Sequence, residues 1–175
     1  MTIRTPKLNE TAIVTDDAYL GARLTAAVAK RFHYLPVMDG PRLSRPDAQA
    51  EIMRRNNALA RIKADKVILC GLSNGQKSAM MNHLPRHIVR FCDQENVESY
   101  ASKSVLNRER LKWGTENVGI GLLKALYEGR LIEFEDSIST LTTIAGKSRH
   151  HVVCEAGRDL SEVVAANYAY SLGAS

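Results

Sequence analysis

The sequence predicts an α/β fold: a Rossmann-like three-layer sandwich around a mainly parallel five-stranded sheet, with a helical insertion between strands 4 and 5. Three observations carry that expectation. Short apolar runs alternate with amphipathic stretches at helical spacing. The runs at 65–72 and 87–93 are apolar nearly throughout, as strands covered on both faces are. Most of the runs also end in aspartate, glutamate or glycine, the usual punctuation of a strand end.

Taken in order, TAIVTD (11–16) is the first strand, and Leu20, Leu24, Ala27, Val28 and Phe32 mark the apolar face of a helix over 18–32. YLPVMDG (34–40) is the second strand. The stretch 46–64 opens on Pro46 and repeats Ala48, Ile52, Leu59 and Ile62 on one face, with arginines on the other, which predicts a second helix. DKVILCGL (65–72) and HIVRFCD (87–93) are strands 3 and 4. Residues 94–149 are far more than one crossover needs, so extra helices are expected over 102–112, 116–131 and 135–146. That insertion is a candidate lid or homo-oligomer arm. HHVVCEAG (150–157) is the fifth strand. In the final helix Asp159 is the cap, Glu162 closes a capping box, Leu160, Val163, Val164, Tyr168 and Leu172 form the stripe, and Gly173 ends it.

With 175 residues, 45% of them hydrophobic, the chain is long enough for one domain with a full core, spanning 1–175. It stops where such folds often add a strand, so a short sheet and the N-terminal domain of something longer both fit. The net charge of +5 comes from 24 basic and 19 acidic residues interspersed along the chain. Anionic ligands are favoured. Nucleic acid is permitted but not indicated, because rings are only 6% of the residues and no basic run interleaves with them. Cys70, Cys92 and Cys154 lack C-x-x-C spacing and read as small buried core residues. No apolar leader or apolar run of about 18 residues occurs, so a soluble cytoplasmic chain without membrane contact is expected.

The stretch VILCGLSNGQKS (67–78) is the nearest approach to a named motif. Gly71, Lys77 and Ser78 stand where a phosphate-binding loop G-x-x-x-x-G-K-[ST] needs them, but the second glycine falls one place early at Gly75 and Gln76 fills its slot. Pro85 also limits the following helix to a short one. A nucleoside triphosphatase is therefore rejected. What remains is a strand end followed by Ser73, Asn74 and Gly75, a turn that exposes backbone donors beside Lys77 and reads either as a ligand contact or as a surface turn.

A dinucleotide fingerprint is missing after the first strand, where Gly21 stands alone. The strand ends are nonetheless acidic, with Asp16, Asp17, Asp39, Asp93, Glu155 and Asp159, and a parallel sheet gathers such residues along its carboxyl edge. Asp39, after the second strand, is placed to accept from ribose hydroxyls. No D-x-D pair supports a metal and no G-x-S-x-G elbow supports a serine hydrolase. The competing reading is that these acids are ordinary turn formers.

The last 20 residues or so resemble the nucleoside 2-deoxyribosyltransferase and TIR-like group. In that group an acid-rich loop enters a helix ending in a G-Y-A-x-A-L-G-like phrase, which Asp159 and residues 168–173 match in spacing. The resemblance implies a Rossmann-like shape and a glutamate acting at a sugar carbon. The matching position here is Ala165, with Glu162 one turn earlier.

Three functions compete. One is a module that binds or senses a nucleotide or nucleotide-derived ligand through Asp16, Asp17, Asp39, Ser73, Asn74, Gly75, Lys77, Glu155 and Asp159. The second is a hydrolase or transferase at an N-glycosidic bond of nucleosides or NAD, with Glu155 or Glu162 as the catalytic carboxylate. The third is a nucleic-acid-associated protein using Arg42, Arg45, Arg54, Arg55, Arg61 and Lys63. Enzyme and binding module stay open, and no cofactor beyond a nucleotide ligand is implied.

Overall fold

The computed structural model describes residues 5–84, 86–102, 105, 107–138, 151–154 and 159–174. In chain order the elements are β1 (Lys7–Leu8), β2 (Thr11–Thr15), α1 (Ala18–Val28), β3 (His33–Tyr34), β4 (Val37–Met38) and α2 (Ala48–Ile62). They continue with β5 (Lys66–Cys70), α3 (Asn74–Met81), β6 (Ile88–Cys92), a 3-10 turn (Val97–Tyr100), β7 (Asn107–Trp113), α4 (Val118–Glu128), β8 (Arg130–Phe134) and α5 (Asp159–Leu172). The protein is mixed α/β, and all its described strand pairs are parallel.

The central sheet has four strands in the order β4-β2-β5-β6. Its middle strands are buried on both sides because their side chains alternate between two cores. Ala12, Val14, Val67 and Leu69 face α2 and α3, packing with Ile52, Leu59 and Met80. Ile13, Ile68 and Cys70 face α1, together with Leu20 and Leu24. The register aligns Ala12 with Val67 and Ile13 with Ile68, so each layer continues across the strands. Helices therefore cover both faces, as the continuous apolar runs require.

The single five-stranded sheet is not what forms. Besides the four-stranded sheet there are two parallel pairs, β1 with β3 and β7 with β8. Of the expected fifth strand, residues 151–154 carry no regular structure, and the remainder lies outside the described residues. Val153 there is 91% exposed, whereas a fifth central strand would be covered. On the described sheet β6 is an edge strand, which is why Ile88 and Phe91 stay exposed.

The insertion is also not all helical. Residues 107–112, expected as helix, belong instead to β7. Leu111 and Trp113 point inward while Arg110 and Lys112 point out and pair with Glu133 and Glu135 at 3.6 and 2.7 Å. α4 forms within the expected 116–131 but ends at Gly129, whose φ of 62° breaks the helix and releases Arg130–Phe134 as β8. The unit is thus a β-α-β crossover. Of the third expected helix, 135–146, residues 135–138 are non-helical and the others lie outside the described residues. Near the amino end, the expected strand 34–40 is divided between β3 and β4, which pair with different strands. The insertion and α5 pack on the α1 face through Val118, Leu122, Val163, Ala166 and Ala169. Among the described residues no helix is long and apolar enough to cross a membrane.

Candidate functional site

The carboxyl ends of β2, β4 and β5 meet at one knot of hydrogen bonds. Asp16, the residue after β2, accepts from the Gly40 amide through Oδ1 at 2.8 Å and from Gln76 Nε2 through Oδ2. Gln76 Nε2 also donates to the Pro41 carbonyl at 3.0 Å, and Gln76 Oε1 accepts from the Ser73 amide at 3.0 Å. Ser73 Oγ in turn accepts from the Gln76 amide at 3.3 Å, so Ser73 and Gln76 form a capping box on α3. Gly40 is required by the close approach: a Cβ there would lie 2.7 Å from Leu72 Cδ2 and 2.9 Å from Asp16 Oδ1.

The other nominated residues have more local duties. Asp17 caps α1, accepting from the Leu20 amide at 2.9 Å, and Thr15 Oγ1 holds its backbone on both sides. Asp39 turns toward α2, where its carboxylate meets Arg55 at 2.9 Å and its carbonyl accepts from Arg55 Nε at 2.6 Å. Arg55 also stands 3.6 Å from Glu51, a buried carboxylate that accepts from the Arg42 amide at 2.9 Å. That amide, with the charges of Arg55, Arg45 and Arg54, holds the Glu51 carboxyl below the usual carboxylate range. The strand-end loop 39–45 is therefore anchored to α2.

Ser73, Asn74 and Gly75 are exposed at the start of α3. Lys77 does not face Asp16: its ammonium sits over the Phe91 ring, 5.7 Å from the centroid. Asp93 closes its own turn, accepting from the amides of Glu95 and Asn96 at 3.1 and 3.0 Å. Asp16, Ser73 and Gln76 are thus brought together, with the backbone of Asp39, Gly40 and Pro41 beside them, whereas Lys77 and Asp93 point elsewhere. Gln76 and Gly40 were not nominated from the sequence. The signal for Gln76 was its place three residues after Ser73.

Glu162 is the described half of the catalytic pair considered above, and the capping box expected of it with Asp159 falls on a side chain outside the described residues. Glu162 lies against α4, where Oε2 accepts from the Gly119 amide at 3.1 Å in that helix's first turn. Gly119 allows the contact, since a Cβ there would stand 2.9 Å from Glu162 Cβ. Glu155 and the side chain of Asp159 lie outside the described residues. Cys154 is exposed, contrary to the expectation of a core cysteine, and residues 151–154 carry no regular structure.

A shallow surface depression lies elsewhere, between α1, the 3-10 turn, β7 and β8. None of the nominated residues lines it. Its Arg110 is neutralised by Glu98 at 2.6 Å and Glu133 at 3.6 Å. Among the described residues no three His, Cys, Asp or Glu side chains are grouped to hold a metal ion. No protein family, curated protein or solved structure matches the chain.

Proposed function

We propose that the chain is a nucleotide-binding module of the doubly wound, Rossmann-like kind, with its ligand over the carboxyl ends of β2 and β5. One observation carries the reading: the strand order β4-β2-β5-β6. After β2 the chain moves to one side to form β4, then returns past β2 to form β5, so the direction of winding reverses between β2 and β5. Open parallel sheets bind ligands in the crevice at such a reversal, because the two flanking loops diverge there. The residues at this reversal suit the ligand class. Asn74 and Gly75 open α3 with amides and a positive dipole end for phosphate oxygens, the Ser73 amide being taken by Gln76, and Asp16 offers a carboxylate to sugar hydroxyls. A chain carrying +5 also favours anions.

Isothermal titration against AMP, ADP, ATP, cyclic nucleotides and NAD tests the reading. At least one should release heat, and Asp16→Asn should weaken that ligand about tenfold, the equivalent of one hydrogen bond donated to a charged acceptor. Absence of heat across the panel from folded protein refutes the proposal.

A further inference from the structure

We infer that Cys70 and Cys92 are a redox modification site, a thiol pair that closes reversibly into a disulfide across β5 and β6. The two residues are direct partners in the β5–β6 register, which runs unbroken from Lys66 and Ile88 to Cys70 and Cys92. Neighbouring strands lie about 4.8 Å apart, inside the range of about 4.4–6.8 Å between Cα atoms that a disulfide spans. Partners on adjacent strands point to the same face, and both cysteines enter the core under α1. The inference does not depend on nucleotide binding.

The surroundings distinguish the two thiols. Cys70 lies between Cys92 and Thr15 in the middle of the sheet, and the Cys92 sulfur and burial together hold its proton on. Cys92 is pushed the other way, by the Cys70 S–H and then by the Arg23 charge, although burial and Asp93 oppose this. Cys92 also ends an edge strand, beside the exposed Asp93 turn. Edge strands open locally more easily than central ones, which gives a small oxidant access to a residue only 1% exposed.

Hydrogen peroxide is the oxidant class that fits such access. The Cys92 thiolate attacks one peroxide oxygen, the O–O bond breaks, hydroxide leaves, and Cys92 becomes a sulfenic acid. The Cys70 sulfur then displaces the sulfenic oxygen, and its proton leaves with that oxygen as water. Two thiols and one peroxide thus give one disulfide and two waters. The product ties the strand that leads into the Ser73 cap to the sheet edge.

The test uses the full chain carrying Cys154→Ser, which removes the exposed third thiol. The protein is exposed to peroxide while circular dichroism shows the fold retained, then quenched, weighed intact, and digested without reduction. The expected result is a monomer lighter by about 2 Da, two hydrogens, with linked peptides containing Cys70 and Cys92, both reversed by a dithiol reductant. Full retention of both thiols overturns the inference. So does a gain of oxygen without the link, a link between chains, or a link that forms only after unfolding.

Discussion

Replacing Asn167 with alanine removes the side chain that joins α5 to the chain crossing between β3 and β4. Asn167 is 1% exposed, accepts from the Leu35 amide through Oδ1 at 3.3 Å, and donates through Nδ2 to the Leu35 carbonyl. Leu35 is itself 1% exposed, so truncation leaves a buried amide and a buried carbonyl with no replacement partner. Each orphaned group costs about 1–3 kcal/mol, and with partial relaxation the pair should cost about 3 kcal/mol. That is a large part of the 5–15 kcal/mol or so that holds a typical domain folded. For a chain of this size it corresponds to a fall in Tm of about 6–12 °C. Urea unfolding of wild type and variant, with the m-value checked for constancy, measures the difference. Asn167→Leu restores most of the volume but neither hydrogen bond, and should be about as unstable as the alanine variant. Wild-type stability in the leucine variant, or a loss below about 0.5 kcal/mol in the alanine variant, would refute the reasoning.

Gly121→Ala places a methyl group 2.5 Å from Cδ1 of Trp113, a ring 2% exposed and held by its Nε1 donating to the Asn117 carbonyl at 3.0 Å. Overpacking of about 1–3 kcal/mol should outweigh the gain in helix propensity, and because Trp113 is the one tryptophan of the chain, its fluorescence should shift with the loss. Glu162→Gln keeps an acceptor for the Gly119 amide but removes the charge at the α4 amino end, so chemical denaturation should show a loss of about 0.5–1 kcal/mol. The depressed Glu51 carboxyl gives stability that is present above its unfolded value of about 4.5 and is lost as pH falls through the lower folded value. Thermal melts of wild type and Glu51→Gln should therefore differ most near neutral pH and converge in acid; a difference that grows below pH 4 or so contradicts that sign.

The parts of the fold that were legible are those where one physical pattern stands unopposed. β2 and β5 are continuous apolar runs because both faces are buried, and short runs such as Ile-Val and Val-Ile-Leu between polar turns suit a covered strand. β7 was misread for the opposite reason. Arg110-Leu111-Lys112-Trp113 has a period of 2, but only Leu111 and Trp113 are apolar in that stretch, and charged residues on the exposed face are equally good helix formers. Its strand conformation is fixed by β8, and β8 exists because Gly129 ends α4 one residue before it. Tertiary pairing decided the case, and the sign of it in the sequence was the glycine rather than the strand.

At the candidate site the same distinction separates position from partnership. A parallel sheet delivers the residues after its strands to one edge, so Asp16, Asp39 and Ser73 could be placed near one another from order alone. Which of them touch depends on side-chain reach, and here the deciding residue is Gln76. It occupies the slot where a phosphate-binding loop needs a glycine, and its side chain folds back to close the Ser73 cap while its amide group spans to Asp16 and Pro41. A glycine there would leave the nest open to a phosphate but would untie β2, β4 and β5 from one another. The departure from the motif and the interlock at the sheet edge are thus one structural fact. On the proposed reading, a ligand at this edge competes with Gln76 for Asp16 and draws the rest of its affinity from the α3 amides and from buried apolar surface.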